Sequence, residues 1–346
     1  MTYKKPSVLV VDRKSIAGNN RQSMSVQVRL LEPLRYLEAA GKIHVIELDE
    51  SVINEKDIVN ADLLAMSRSY SSKAVELMRS ANSLLKPILY DVDDDMFVLP
   101  KWTALDTAEF EKHKNQLLLA SYLTVPLVLL SERLSWIDTP VMIIPTATVM
   151  NKFETDNVKR NNKIVYTNLM DIKLESARAD FLKAVFDFMT KNPDLELDVF
   201  SDSALEICNI HNVNYCGFLE YREYKKKLFS EKYLFALCPL SGSEDQDSFR
   251  HNECKSPIKY IDYSAAKIPA IFSNSPAYVR SIQHGENGLI TENTYESWLH
   301  TLEFMYKNTQ IREKIAEKAF LDIYENYNMK IVSEKWFEVI HQLTAQ

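Results

Sequence analysis

CKSPIKYIDYSAAKIPAIFS, Cys254 to Ser273, followed by HGENGLI, His284 to Ile290, is the stretch on which the reading of this chain turns. Its first half has helical spacing, with Lys255 and Lys259 one turn apart on a shared face and Ser256 beside Lys255. Small residues close that helix, a short apolar strand follows, and a glycine-bearing turn leads into a second apolar run, NGLIT. Helix, strand, helix start and strand is the rhythm of a parallel sheet whose crossovers are helices. Two cations, a hydroxyl and the Asp262 carboxylate near a helix entrance suit a nucleotide diphosphate and its ribose, because free N–H groups and the helix dipole favour anions there. A surface helix with solvated charges is the other reading of the same residues.

The alternation extends in both directions. Toward the N-terminus, SVLVVD (Ser7 to Asp12), IHVIELD, ADLLAMSR, KPILYDV, PLVLLS and PVMIIP read as strands, with helical spacing over Gln22 to Ala40 and Ser71 to Leu84. A polar stretch, NKFETDNVKRNN, Asn151 to Asn162, interrupts the pattern. It restarts with KIVYT, a helix over Leu174 to Lys191, LELDVFSD, VNYCGF, YLFALCPL, IPAIFS and NGLIT, and Thr294 to Gln346 is helical. The pattern predicts an α/β chain of two Rossmann-like doubly wound domains, 1–150 and 163–325, joined by a linker at 151–162. The C-terminal helix, 326–346, is expected to return to the N-terminal domain. In such sheets ligands bind beyond the carboxyl ends of the strands, at the switch point, so residues just after strands are the ones to weigh.

Length and composition agree. A chain of 346 residues with 46% hydrophobic content has material for two cores. The net charge of -7 argues against nonspecific nucleic-acid binding. The four cysteines show no CxxC spacing and read as reduced thiols in a cytoplasmic protein. MTYKKPSVLVVD shows no leader pattern, and the apolar run at 117–130 is interrupted by Ser121, Thr124 and Pro126, so a soluble or peripheral protein is expected. The seven histidines form no HExxH pair, and neither a nucleophile elbow nor a Walker A loop is present.

Several further strand ends carry chemistry. LYDVDDDMF places Asp91, Asp93, Asp94 and Asp95 after a strand. A divalent-metal pair, a cleft carboxylate meeting a sugar, and helix N-capping all fit it. Crowded carboxylates repel unless a cation is near. Arg68, after ADLLAMS, suits an ion pair with that run or an anionic substrate group. The first βα loop, DRKSIAGNNRQS, holds Gly18 and Arg21, and Arg29 follows within helical spacing, where it fits a structural role. One glycine is no dinucleotide fingerprint. The run REYKKK, Arg222 to Lys227, reads as a solvated helix face or a weak attraction to anionic lipid.

The strand-ending LCPL, the polar loop SGSEDQDSFRHNE, the Lys-Ser and carboxylate of the opening stretch, and HGENGLI together resemble the donor-binding domain of GT-B glycosyltransferases of family 4. Asn252, Lys255, Ser256 and Lys259 match the Asn-x-x-Lys-Ser-x-x-Lys pattern of its bacterial surface-polysaccharide members, and Tyr90 to Asp94 match their Tyr-Asp-x-Asp-Asp run. The resemblance implies two facing domains with a cleft between them. It implies donor binding by Lys173, Phe218, Arg250, Asn252, Lys255, Ser256, Lys259 and Asp262. Phe218 would hold the base, although a core phenylalanine is the commoner reading. Gly18, Arg21 and Arg68 would lie on the acceptor side, and Asp93, Asp94 and Glu253 would be the catalytic carboxylates, with no metal. The chain departs from the family where Cys254 replaces the first of two usual glutamates and Lys267 the usual glycine. Glu253 is adjacent to Cys254, but one helical position turns a side chain by about 100°.

The function so implied is transfer of a sugar from a nucleotide-diphosphate sugar, UDP- or GDP-linked, to a saccharide, lipid-linked or protein acceptor with retention. No cofactor is required, and the place would be the cytoplasm or the inner face of a membrane. A nucleotide-sugar epimerase of the same fold and a catalytically inactive partner subunit are the other readings.

Overall fold

The computed structural model describes residues 4–12, 24–67, 71–101, 107–150, 159–167, 172–201 and 206–345, without the side chains of 107–110. The chain divides into two compact units. The first comprises Met1–Thr148, Cys254–Ser256 and Tyr327–Gln346, and the second Val149–Glu253 and Pro257–Asn326.

Six parallel strands form the first sheet: β1 (Ser7–Asp12), β2 (His44–Asp49), β3 (Leu63–Ser67), β4 (Ile88–Asp91), β5 (Tyr122–Val125) and β6 (Val141–Ile143). Their spatial order is β2-β1-β3-β4-β5-β6, which reverses between β1 and β3. Val8 to Val11 are fully buried, as a central strand covered on both faces must be. The helix Ser72–Ser83 shows the local logic. Ser71 caps it by accepting from the Ala74 amide at 2.9 Å, and Ala74, Leu77, Met78 and Ala81 form its buried stripe.

PLVLLS, expected as a strand, is not one. Pro126 has no N–H to give a ladder, so the strand is the preceding YLTV, and Val128–Arg133 is a helix. The segment read as helical from Gln22 is helical from Met24 in the described residues, passing through a π-helical turn, Val26–Leu31, into the α-helix Glu32–Ala39. The C-terminal helix Met329–Thr344 lays Val332, Trp336, Val339 and Ile340 into the core shared with Leu34 and Leu37.

The second sheet holds β7 (Lys163–Thr167), β8 (Glu196–Phe200), β9 (Val213–Tyr215), β10 (Phe235–Cys238), β11 (Ala270–Ser273) and β12 (Leu289–Thr291), all parallel. The order β12-β11-β10-β7-β8-β9 is doubly wound, with its switch point between β7 and β10. The helices Tyr295–Lys307 and Glu175–Lys191 pack together, and Trp298 meets Phe181 edge-on at 4.8 Å. Arg160, near the end of the polar stretch, grips Glu313 with two hydrogen bonds of 2.6 and 2.7 Å.

In the first unit, Arg29 holds Asp91 bidentately, at 2.6 and 3.1 Å, and donates to the Ile144 carbonyl at 2.6 Å. Thr124 adds a 2.8 Å bond to the same carboxylate. Both charges are buried, so removing one strands the other in a medium that cannot solvate it. Replacing Arg29 by Met is expected to cost about 3–5 kcal/mol of unfolding free energy, read from urea denaturation, and adding Asp91→Asn should recover part of that loss.

Candidate functional site

Each unit presents polar groups at the carboxyl ends of its strands. In the first, the run after β4 is divided among separate partners. Asp91 belongs to Arg29. Asp93, partly exposed, accepts from the Ser25 hydroxyl. Asp95 pairs with Arg133 at 2.7 Å and accepts from the Phe97 amide at 2.9 Å. Asp94 lies 3.5 Å from the Lys255 ammonium. Cationic side chains thus offset the repulsion that the sequence implied, and among the described residues no group of three or more His, Cys, Asp or Glu is placed to hold a metal. Gly18, Arg21 and Arg68 lie outside the described residues.

Lys255 and Ser256 are not on the helix. A residue before proline is pushed toward extended backbone, and Ser256 precedes Pro257, so the helix begins only at Ile258 and runs to Ala265. The three residues Cys254–Ser256 pack with the first unit. Cys254 is fully buried in its core, and Ser256 meets the Thr146 hydroxyl at 2.8 Å. The expectation that Lys255 and Lys259 share one helical face is therefore corrected. Glu253 ends a separate short helix, Gln246–Asn252, that the sequence reading took as loop, and its carbonyl accepts from Arg280.

The switch point of the second unit brings other candidates together. After β10 the chain runs through Pro239 and Leu240 to Ser241, whose hydroxyl accepts from the Lys173 amide at 2.8 Å. Its carbonyl accepts from Asn252 and from Ser275, each at 2.8 Å. Loops following β7, β10 and β11 are tied at this one residue. Asn252 is 1% exposed, and among the described residues its Oδ1 has no hydrogen-bond partner. Gly242 follows because nothing larger fits: a Cβ there would stand 2.2 Å from the Asn274 carbonyl oxygen. Arg250 and Lys173 are exposed, and Phe218 is partly buried beyond β9.

Asp262 is buried, 2% exposed, and its Oδ1 accepts from the Tyr221 hydroxyl at 2.8 Å and from the Lys225 ammonium at 3.0 Å. Among the described residues nothing donates to its Oδ2. Lys225 corrects the reading of REYKKK as a wholly solvated face. The helix Tyr221–Glu231 turns Tyr221, Tyr224, Lys225 and Leu228 inward and leaves Lys226 outside. Lys259, one turn before Asp262, is partly buried, with its ammonium 5.7 Å from the Tyr224 ring centroid, and no carboxylate among the described residues contacts it. Burial pushes Lys259 below the ordinary lysine value, against attraction from Asp262 and Cys238. Tyr224 and Tyr263 bracket the Thr167 hydroxyl at the end of β7, at 3.2 and 2.9 Å. Ser241, Tyr221 and Lys225 were missed by sequence reasoning. The small-residue run SGS after a strand-ending proline was the one signal for Ser241.

Lys267 ends the helix with φ +55°, the left-handed conformation in which glycine is usual. The position needs that conformation, and lysine adopts it with its ammonium 4.8 Å from the Phe320 ring.

No protein-family model and no curated protein matches the sequence. The folds of solved structures do. A glycosyltransferase from Rickettsia africae superposes with a TM-score of 0.68 at 13% identity, over 99% of each chain. Anabaena HepE, solved with UDP and glucose, gives 0.67 at 11% identity, over 97% of this chain and all of that one. A putative UDP-N-acetylglucosamine 2-epimerase from Listeria monocytogenes gives 0.63 at 10%, over 98% and 96%.

Two outcomes are expected. Replacing Lys267 by Gly should stabilise the protein by about 0.5–1 kcal/mol in urea denaturation, since lysine is strained at this φ. Binding of an anion at Lys259 should weaken as pH rises, at lower pH than for a lysine titrating at its ordinary 10.5, because the ammonium is lost sooner. Lys259→Arg should abolish that alkaline limb in a titration of pyrophosphate affinity against pH. The fold on which these residues are arranged is that of the GT-B glycosyltransferases.

Proposed function

We propose that this chain is a glycosyltransferase that takes a sugar from a nucleotide-diphosphate donor held at the switch point of its second unit. One observation carries the reading: Lys259, partly buried beside the end of β10 and touching no described carboxylate, is a cation awaiting an anion. A diphosphate supplies it, and as the glycosidic bond breaks the charge growing on the departing phosphate oxygen is stabilised by the same ammonium. Asp262 Oδ2 is the acceptor offered to a ribose hydroxyl. Lys173 and Asn252 order the loops around the diphosphate through Ser241, with Arg250 on the adjoining short helix, and Phe218 lies on the base side. UDP is the first donor to try, because HepE was solved with it.

The acceptor, a saccharide, lipid-linked glycan or protein, is assigned to the strand ends of the first unit. Asp93 is the partly exposed carboxylate there, and Asp94 is held by Lys255. The reaction is read as retaining and metal-independent, the latter because Arg29, Arg133 and Lys255 already balance the acidic run. Among the described residues no helix is long and apolar enough to cross a membrane. A cytoplasmic place, with peripheral contact where the acceptor is lipid-linked, suits the proposed chemistry.

Two observations favour other readings. The Listeria likeness admits a nucleotide-sugar epimerase, and the burial of Cys254 where the family has a glutamate admits an inactive partner subunit. A melting-temperature screen of UDP, GDP, CDP and ADP decides the donor, since bound ligand raises the transition. UDP should raise it, and Lys259→Ala should remove most of the rise; no shift from any nucleotide sinks the proposal. Turnover of UDP-sugars with glycan acceptors supports transfer. Acceptor-free epimerisation selects the second reading, and binding without any turnover the third.

A further inference from the structure

Lys225 has no place in the donor reading above, yet it is one of the most enclosed charges of the second unit. It is 6% exposed, its ammonium lies 3.0 Å from Asp262 Oδ1, and the Phe229 ring centroid lies 5.0 Å away. A lysine is rarely buried without a reason, because its charge loses hydration that only a well-placed partner restores. Tyr221 donates to the same oxygen at 2.8 Å, which pins the carboxylate toward the helix Tyr221–Glu231. Lys259 stands one turn away on the helix that carries Asp262, a spacing at which lysine and aspartate readily pair. They do not pair here: Lys259 makes no ion pair with Asp262 within 4.0 Å, while Lys225 does.

Resting on the reading of Lys259 as the diphosphate ligand, we propose that Lys225 is a positioning residue that sequesters Asp262, so that the charge of Lys259 is left for the phosphates of the donor. Of these three groups two are cations and one an anion. Lys225 consumes the anion, and the surplus positive charge falls on Lys259. Without Lys225 the Asp262 carboxylate turns to its helical neighbour, and an incoming phosphate must displace it. The consequence is specific to charge. Phosphates lose the charge that holds them, whereas a nucleoside without phosphates loses less, only what the displaced Asp262 carboxylate gave its ribose.

The experiment measures dissociation constants of inorganic pyrophosphate, UDP and uridine for the wild type and four variants by calorimetry. Pyrophosphate has no ribose, so it reports Lys259 independently of Asp262. Lys225→Met keeps the aliphatic stem and should weaken pyrophosphate by about 10-fold, equivalent to about 1.4 kcal/mol, UDP by at least as much, and uridine by less, since uridine feels only the displaced ribose acceptor. Lys225→Arg should behave as wild type. Lys225→Met combined with Asp262→Asn removes both charges and should restore pyrophosphate to within about 3-fold of wild type, about 0.65 kcal/mol. That double variant is the safeguard should Lys225→Met alone fail to fold, since a buried pair is often replaced by neutral groups at little cost. Unchanged pyrophosphate binding in folded Lys225→Met, an equal loss of uridine, or a double variant as weak as the single one would each overturn the proposal. Lys259→Ala separates the two ideas. If wild type binds pyrophosphate and Lys259→Ala binds it equally, the underlying reading fails, and the role of Lys225 fails with it.

Discussion

Parallel strands buried on both faces must be joined by helices that cross over them, and where those crossovers reverse direction the strand ends are left uncovered. That constraint governs both units of this protein. In the second, the reversal lies between β7 and β10, and the loops after β7, β10 and β11 have to meet above it. They meet at Ser241, where one hydroxyl and one carbonyl satisfy Lys173, Asn252 and Ser275. Backbone groups brought together away from water need such partners. The polar floor is therefore demanded by the fold, and it also lies where a ligand would bind.

Charge is handled differently in the two units. In the first, every carboxylate of the run after β4 has a protein partner, and the deepest, Asp91, has Arg29 in bidentate contact. That arrangement favours a rigid strand end. In the second, Asp262 is engaged by Lys225 while Lys259 contacts no described carboxylate. An electrostatic deficit of that kind costs folding free energy, and proteins tolerate such costs where a ligand offsets them.

Strand and helix identity were legible wherever hydrophobic period and caps agreed. Ser7–Asp12, Ser72–Ser83 and Glu175–Lys191 are cases where local sequence and tertiary demand coincide. Two prolines account for local departures: Pro126 releases PLVLLS from the sheet into a helix, and Pro257 keeps Lys255 and Ser256 off the helix that starts at Ile258. Both effects are local, and a stricter reading of proline finds them. Lys225 is another matter. In REYKKK it is one lysine among three, and nothing nearby in the chain tells which of them faces inward.

The sequence by itself determined the alternation of strands and helices and showed Asn252, Lys259 and Asp262 within eleven positions of one another, because period, turn chemistry and residue type are local properties. Tertiary structure alone decided that Cys254 is core, that Lys255 answers Asp94, and that Lys225 rather than Lys259 holds Asp262. Those pairings join residues from 37 to 161 positions apart. Which charge meets which is set by how helices settle on a sheet, and no spacing along the chain records it.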